Sequence, residues 1–198
     1  GILQALFSKV VEWVPSFSPL LFPTLTIFLL VFHLFIACFM AMKYGCDKRR
    51  LYLVAIAFAF AGSALLMVGT LTSFPAWLDL YQFNVVNYND AMIYFMFRHF
   101  LMAVLFIVAA ILYPMRKYPL SRLAHISIVS GASLFTACAV GLAWIYSSHS
   151  PLLSIDLVDN ETRQFMVLWS HCINISLIVF WVITLVALMF VTRVRNLF

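Results

Sequence analysis

The chain has 198 residues, of which 65% are hydrophobic and 10% are charged, and its mean hydropathy is +1.06. Soluble domains carry about 25% charged residues, so this chain has too little polar surface to coat a soluble globule. The composition therefore excludes a soluble protein and indicates an integral membrane protein.

The first predicted element is an interfacial amphipathic helix in residues 1–18, on the outer side of the membrane. Its apolar face is formed by Leu3, Leu6, Phe7, Val10 and Val14. Polar side chains occupy the opposite face, and Pro15 is expected to end the helix. The segment lacks a basic start and a cleavage site, so it is not a signal peptide.

Five long apolar runs follow, at residues 20–42, 52–72, 91–113, 123–146 and 165–192. Each is near or above the length of about 20 residues that an α-helix needs to cross the hydrocarbon core. Helices satisfy their own backbone groups, and these runs do not alternate as barrel strands do. The sequence therefore predicts an all-α, polytopic transmembrane bundle of five spanning helices over residues 19–198.

The charged residues predict the orientation of this bundle. Nine of the twelve Lys and Arg residues lie in loops 43–51 and 114–122 and in the C-terminal tail. Loops 73–90 and 147–163 carry five acids against one arginine. The positive-inside rule places the basic segments in the cytoplasm and the acidic loops outside. The net charge of +5 is then explained by topology, and nucleic acid is not expected as a partner.

A polar stripe enters the third predicted span. Asp90, Tyr94 and Arg98 are spaced i, i+4, i+8 and share one helix face. Arg98 lies about 12 Å along the axis from Asp90. A charge at that depth costs roughly 2.5–3.5 kcal/mol on insertion scales. Two explanations stay open: a pocket for an anionic or polar ligand, or an arginine that reaches outward and pairs with Asp90 or an acid of an outer loop.

Histidines on the third and fifth predicted spans lie at similar depth. His171 lies on one helix face with Gln164 and Asn174. It is eight residues from Arg163, which is the same separation as that between Arg98 and Asp90. His99 and His171 could together ligate a b-type haem or a metal ion. Alternatively, each histidine hydrogen-bonds across the bundle. His33 and His125 lie at other depths, which argues against a four-histidine array.

Several blocks together resemble a known family. They are "YGCDKRRLYL", "YNDAMIYFMFRHF", "YSSH" and "VDNETRQFMVLWSHCINISLIVFW". In order and spacing they resemble the fourth class of membrane-associated sensor (MASE) domains over residues 14–191. Asn89, Asp90, Tyr94 and Arg98 fit the family's block, whereas His99 and His171 do not belong to it.

The resemblance implies a signal-input domain in the bacterial inner membrane, ahead of a cytoplasmic GGDEF diguanylate cyclase domain. It also implies a homodimer and further spanning helices, one before Gly1 and others after Phe198, so the 19–198 bundle is expected to be incomplete. No GGDEF motif is present in the chain.

Our main hypothesis is a non-catalytic sensor whose pocket binds an unknown small molecule or ion in the outer half of the membrane. The predicted ligand-binding residues are Asn89, Asp90, Tyr94, Arg98, His99, His171 and Asn174. No cofactor or metal is expected under this hypothesis. Two alternatives are a haem b electron carrier or redox sensor using His99 and His171, and a structural membrane subunit. An intramembrane enzyme would need paired acids or a nucleophile–base pair, and the sequence offers neither.

Overall fold

The computed structural model describes residues 2–5, 21–73, 88–148, 175–176, 178–179, 181–187 and 189. Four long helices run through it: α1 (Leu21–Cys46), α2 (Tyr52–Thr72), α3 (Tyr88–Leu112) and α4 (Arg122–Tyr146). A 3₁₀ helix, Tyr113–Lys117, continues α3. All four long helices are long and apolar enough to cross a membrane. The all-α class and four of the five predicted spans are therefore confirmed.

The two remaining predicted elements are described only in part. The described residues between 175 and 189, which lie within the fifth predicted span, are helical; we call them the C-terminal helical segment. Residues 2–5 of the predicted interfacial helix are helical and exposed, and residues 6–20 lie outside the described part.

Two helices are longer than hydropathy predicts, and both extensions are polar. α1 continues to Cys46, so the first residues of the predicted loop 43–51 form its last turn, with Lys43 there. α3 begins at Tyr88, so Asn89 and Asp90 are helical. A cation in a last turn and an acid in a first turn both complement the helix dipole. Hydropathy measures apolar length, and it misses such polar end turns.

α2 and α3 form the centre of the described bundle. In the most apolar stretch of each helix, 56% of α2 and 44% of α3 is buried inside the bundle, compared with 22% of α4 and 11% of α1. One core cluster joins the three helices α2, α3 and α4; its buried members are Ala59, Leu66, Tyr94, Leu101, Leu105, Ala132, Ala139 and Ala143. The α4 members of this cluster are alanines, and small side chains let membrane helices approach one another closely.

Two glycines of α2 allow the close approach of its neighbours. A Cβ atom added to Gly69 would lie 2.7 Å from Cζ of Tyr94, and other atoms of that ring would be closer still. A Cβ atom added to Gly62 would overlap Leu101 and lie 2.8 Å from Cγ2 of Thr136. The absence of side chains at these two positions therefore determines how α3 and α4 sit against α2.

Contacts between helix ends place the two basic loops together. The Tyr44 hydroxyl, near the end of α1, is 2.9 Å from Nδ1 of His125, near the start of α4. The rings of Tyr52 and Tyr113 pack edge to face with centroids 5.0 Å apart. Loops 43–51 and 114–122 therefore lie at the same end of the bundle, as the charge pattern predicts.

The outer surface of the bundle is apolar along α1. Phe28, Phe32, Phe35 and Phe39 are each at least half exposed and follow one another at helical spacing. Such a stripe is unfavourable in water and suits contact with lipid. The four apolar helices identify a multi-pass membrane protein that contacts the bilayer.

Candidate functional site

The polar residues predicted on α3 face different neighbours. Asp90 and Tyr94 are 2% and 3% exposed, and both contact the C-terminal end of α4. Arg98, one turn further along α3, is half-buried, and its guanidinium lies over the ring of Phe95. A shared helix face therefore does not make these three residues a single cluster.

Asp90 binds the residue that follows the end of α4. The backbone N–H of Ser148 donates to Asp90 Oδ1 over 2.9 Å, and the Ser148 hydroxyl donates to Oδ2 over 2.5 Å. Hydrogen bonds to a carboxylate are short and stronger than neutral ones. The pairing predicted between Asp90 and Arg98 is not found. Asp90 and Arg98 are two helical turns apart, which is too far for their charges to meet. Ser148, by contrast, brings two hydrogen-bond donors directly to the Asp90 carboxylate.

Tyr94 joins three helices at the same place. Its hydroxyl donates to Ser147 Oγ over 3.3 Å, and Ser147 Oγ donates to the carbonyl of Trp144 over 2.7 Å. Its ring fills the space above Gly69 of α2. We call the four residues Asp90, Tyr94, Ser147 and Ser148 the α3–α4 clasp. The hydrogen-bonding role of the two serines was missed, although they stand in the "YSSH" block.

Arg98 lies in the span without a carboxylate partner among the described residues. The only ion pair within 4.0 Å in that part of the chain joins Arg50 and Asp47. The guanidinium carbon of Arg98 lies 5.6 Å from the ring centroid of Phe95 on the preceding turn. An arginine side chain keeps its charge in proteins. Arg98 is therefore a fixed positive charge inside the bundle.

The charge of Arg98 lies within electrostatic range of two histidines, His99 on α3 and His33 on α1. His33 Nδ1 is 2.8 Å from Oγ of Ser63, a fully buried residue of α2. No role was predicted for His33 from the sequence, because its depth in the span does not match that of His99 and His171. The available signal was its polarity within the apolar α1, which suggests an inward-facing side chain.

His99 is held by its own helix and by aromatic rings. Its Nδ1 lies 2.8 Å from the carbonyl oxygen of Phe95 and must donate, since a carbonyl only accepts. Its ring packs against Phe95, with centroids 4.0 Å apart, and against Trp181, with centroids 6.0 Å apart. His99 therefore takes part in packing between α3 and the C-terminal helical segment.

Further contacts bring the C-terminal helical segment onto α3. The Thr184 hydroxyl donates to the carbonyl of Ala103 over 3.3 Å, and Thr184 is 1% exposed. Trp181 also contacts Phe106, with ring centroids 6.4 Å apart. The C-terminal helical segment therefore packs against α3 at Thr184 and Trp181.

The other predicted site residues have different outcomes. Asn89 is buried at the start of α3. His171 and Asn174 lie outside the described part of the chain. Among described residues, no group of three or more His, Cys, Asp or Glu side chains could hold a metal ion.

The fold defines a helical, multi-pass membrane protein whose buried polar groups lie between helices. A family model for the membrane-associated sensor, integral membrane domain (MASE4), matches residues 16–198. The chain belongs to this family, and it is an integral membrane sensor domain. Domains of this family are non-catalytic input domains. No curated protein and no solved structure matches the chain.

Proposed function

We propose that this sensor domain binds an anionic or polar stimulus beside Arg98 and thereby regulates a cytoplasmic output domain such as a diguanylate cyclase. The proposed site is centred on Arg98 and His99 of α3 and includes His171 and Asn174. Asp90 and Tyr94, also predicted as ligand residues, belong to the α3–α4 clasp at the start of α3, beside Asn89. The observation that carries the proposal is the position of Arg98. A half-buried guanidinium within a span, with no acid beside it among the described residues, is unfavourable unless it serves a ligand or a wet cavity.

The neighbours of Arg98 support an anionic ligand. Two histidines, His33 and His99, lie within electrostatic range of its charge, and each can add a hydrogen-bond donor or positive charge. A carboxylate or phosphate would supply the missing negative charge and accept two hydrogen bonds from the guanidinium fork. His33 and Ser63 extend the proposed site to α1 and α2.

The helix α3 offers a route for the signal. It carries Arg98 in its middle, the α3–α4 clasp at one end and the contacts to the C-terminal helical segment beyond Arg98. A ligand that binds one arrangement of these helices better shifts the equilibrium toward it, and a preference of about 1.4 kcal/mol gives a tenfold shift. We propose that the acidic loops face the periplasm, that the basic loops face the cytoplasm of a bacterium, and that two copies associate.

The test measures the melting temperature of the purified protein in detergent against small carboxylates, phosphates and inorganic anions. We expect at least one anion to raise the melting temperature of the wild type. Arg98→Gln should lose this shift, Arg98→Lys should retain part of it, and Arg122→Gln, at an exposed position where α4 begins, should retain all of it. A shift that persists in Arg98→Gln would exclude the proposed site.

The alternative proposal is a b-type haem held by His99 and His171. One observation favours it: Nδ1 of His99 donates to a backbone carbonyl, as in many ligating histidines, which leaves Nε2 as the acceptor nitrogen. A visible spectrum before and after dithionite tests this alternative. A Soret band that disappears in His171→Ala would support haem, and a spectrum with only the 280 nm protein band would reject it.

A further inference from the structure

A groove lies at the basic end of the bundle, far from Arg98 along the chain. It has a volume of about 400 Å³ and is lined by Phe39, Met42, Lys43, Cys46, Asp47 and Arg50. The four α1 residues among these are spaced i, i+3, i+4 and i+7, so they share one face of the last turns of α1. The other two belong to the turn that follows. We call this feature the basic groove.

The wall of the basic groove is apolar and its rim is cationic. Phe39 is 50% exposed and Met42 is 64% exposed, so neither is covered by the described bundle. Lys43 Nζ lies 4.9 Å from the ring centroid of Phe39, which places the ammonium directly above the apolar wall. The groove therefore changes from apolar to positively charged within one helical turn, which complements a lipid with apolar chains and an anionic headgroup.

The turn after α1 places Arg50 in the lining of the basic groove. Asp47 Oδ2 lies 3.4 Å from Nε of Arg50, and Asp47 Oδ1 accepts the backbone N–H of Arg49 over 3.2 Å. Asp47 thus contacts the arginine at Nε, and the Arg50 side chain remains 48% exposed. The two terminal nitrogens of a guanidinium are the pair that binds phosphate in a fork.

Arg116, in the neighbouring basic loop, makes its contacts with a residue of its own 3₁₀ helix. Its NH1 group donates to the carbonyl of Tyr113 over 2.9 Å, and its guanidinium lies 3.9 Å from the centroid of the Tyr113 ring. Topology alone requires basic residues at this end but does not require them to converge above an exposed apolar wall. Arg116 therefore lies against its own loop, whereas Arg50 lines the basic groove.

We propose that the basic groove binds one anionic phospholipid. Its headgroup phosphate would lie between Lys43 and Arg50, and one acyl chain would cover Phe39 and Met42. Charge complementarity favours this occupant, because the segment carries Lys43, Lys48, Arg49 and Arg50 against the single acid Asp47. A free phosphate would satisfy the cations but would leave the apolar wall uncovered. This lipid site is independent of the stimulus site at Arg98.

The experiment measures lipid binding by native mass spectrometry of the detergent-solubilised protein. Dioleoyl phosphatidylglycerol is compared with dioleoyl phosphatidylcholine, which has the same chains, and with glycerol phosphate, which has the headgroup chemistry without chains. We expect the phosphatidylglycerol adduct to be tightest, and Lys43→Gln and Arg50→Gln each to weaken it about fivefold. Arg122→Gln, a basic residue at the same end outside the groove, should leave it unchanged.

Two outcomes would overturn the proposal. If Arg122→Gln weakens phosphatidylglycerol binding as much as Lys43→Gln does, the basic end attracts anionic lipid diffusely and has no site. If glycerol phosphate binds as tightly as the lipid, the occupant is a soluble phosphate compound instead. Lys43 and Arg50 are exposed, so both variants are expected to fold.

Discussion

The α3–α4 clasp yields a quantitative prediction for the pair Asp90 and Ser148. The Ser148 hydroxyl donates over 2.5 Å to a carboxylate that is only 2% exposed. A hydrogen bond to a charged group contributes about 1.5–3 kcal/mol net. Asp90→Ala also removes the bond from the Ser148 backbone N–H, so the single variant should be destabilised by more than one bond.

A double-mutant cycle isolates the hydroxyl bond from the other contacts of Asp90. The four proteins are wild type, Asp90→Ala, Ser148→Ala and the double variant. Their free energies of unfolding are measured in mixed micelles by titration with a denaturing detergent. We expect a coupling energy of about 1.5–3 kcal/mol between Asp90 and Ser148.

A second cycle, between Asp90 and Arg98, serves as the control for the pairing expected from the sequence. Their charges are not in contact in the structure, and helix geometry separates the two positions by about 12 Å along the axis. The coupling in this cycle should be well below that with Ser148. A larger coupling to Arg98 than to Ser148 would refute the clasp geometry.

Two further predictions concern packing and orientation. Gly69→Ala should destabilise the protein by about 1–3 kcal/mol because its Cβ would overlap the Tyr94 ring. Gly131→Ala, where no atom lies within 4 Å of the added Cβ, should be neutral or stabilising by up to about 1 kcal/mol in the same unfolding assay. Equal losses in both variants would contradict the described packing of α2 against α3. The exposed thiol of Cys46 should react with a membrane-impermeant maleimide only after spheroplasts are permeabilised, whereas Ser148→Cys should react in intact spheroplasts. Labelling of Cys46 in intact spheroplasts would reverse the proposed orientation.

Sequence patterns predicted the helices well where apolar length decides the outcome. The second predicted span, residues 52–72, has the same bounds as α2. The errors occur at α1 and α3, where polar residues such as Lys43 and Asp90 continue a helix past its apolar run. A hydropathy pattern contains no term for the helix dipole or for a tertiary hydrogen bond, so it cannot place such ends.

The sequence predicted which polar residues lie at or within the third span, but it did not predict which residues they contact. Burial of Asp90 and Tyr94 and the depth of Arg98 follow from helical spacing in an apolar span. The partner of Asp90 lies 58 residues away, and the hydrogen-bonded pair His33 and Ser63 is 30 residues apart. Helical periodicity within one span carries no information about which residue of another span lies opposite.

The sequence by itself determined that this protein is a helical membrane protein whose two basic loops share one end. Both properties depend on composition along the chain, because about 20 apolar residues span a bilayer whatever their neighbours are. Only the tertiary structure decided which polar groups meet: Asp90 with Ser148, and His33 with Ser63. The rotation of each helix about its axis decides those meetings, and that rotation follows from close packing at positions such as Gly69.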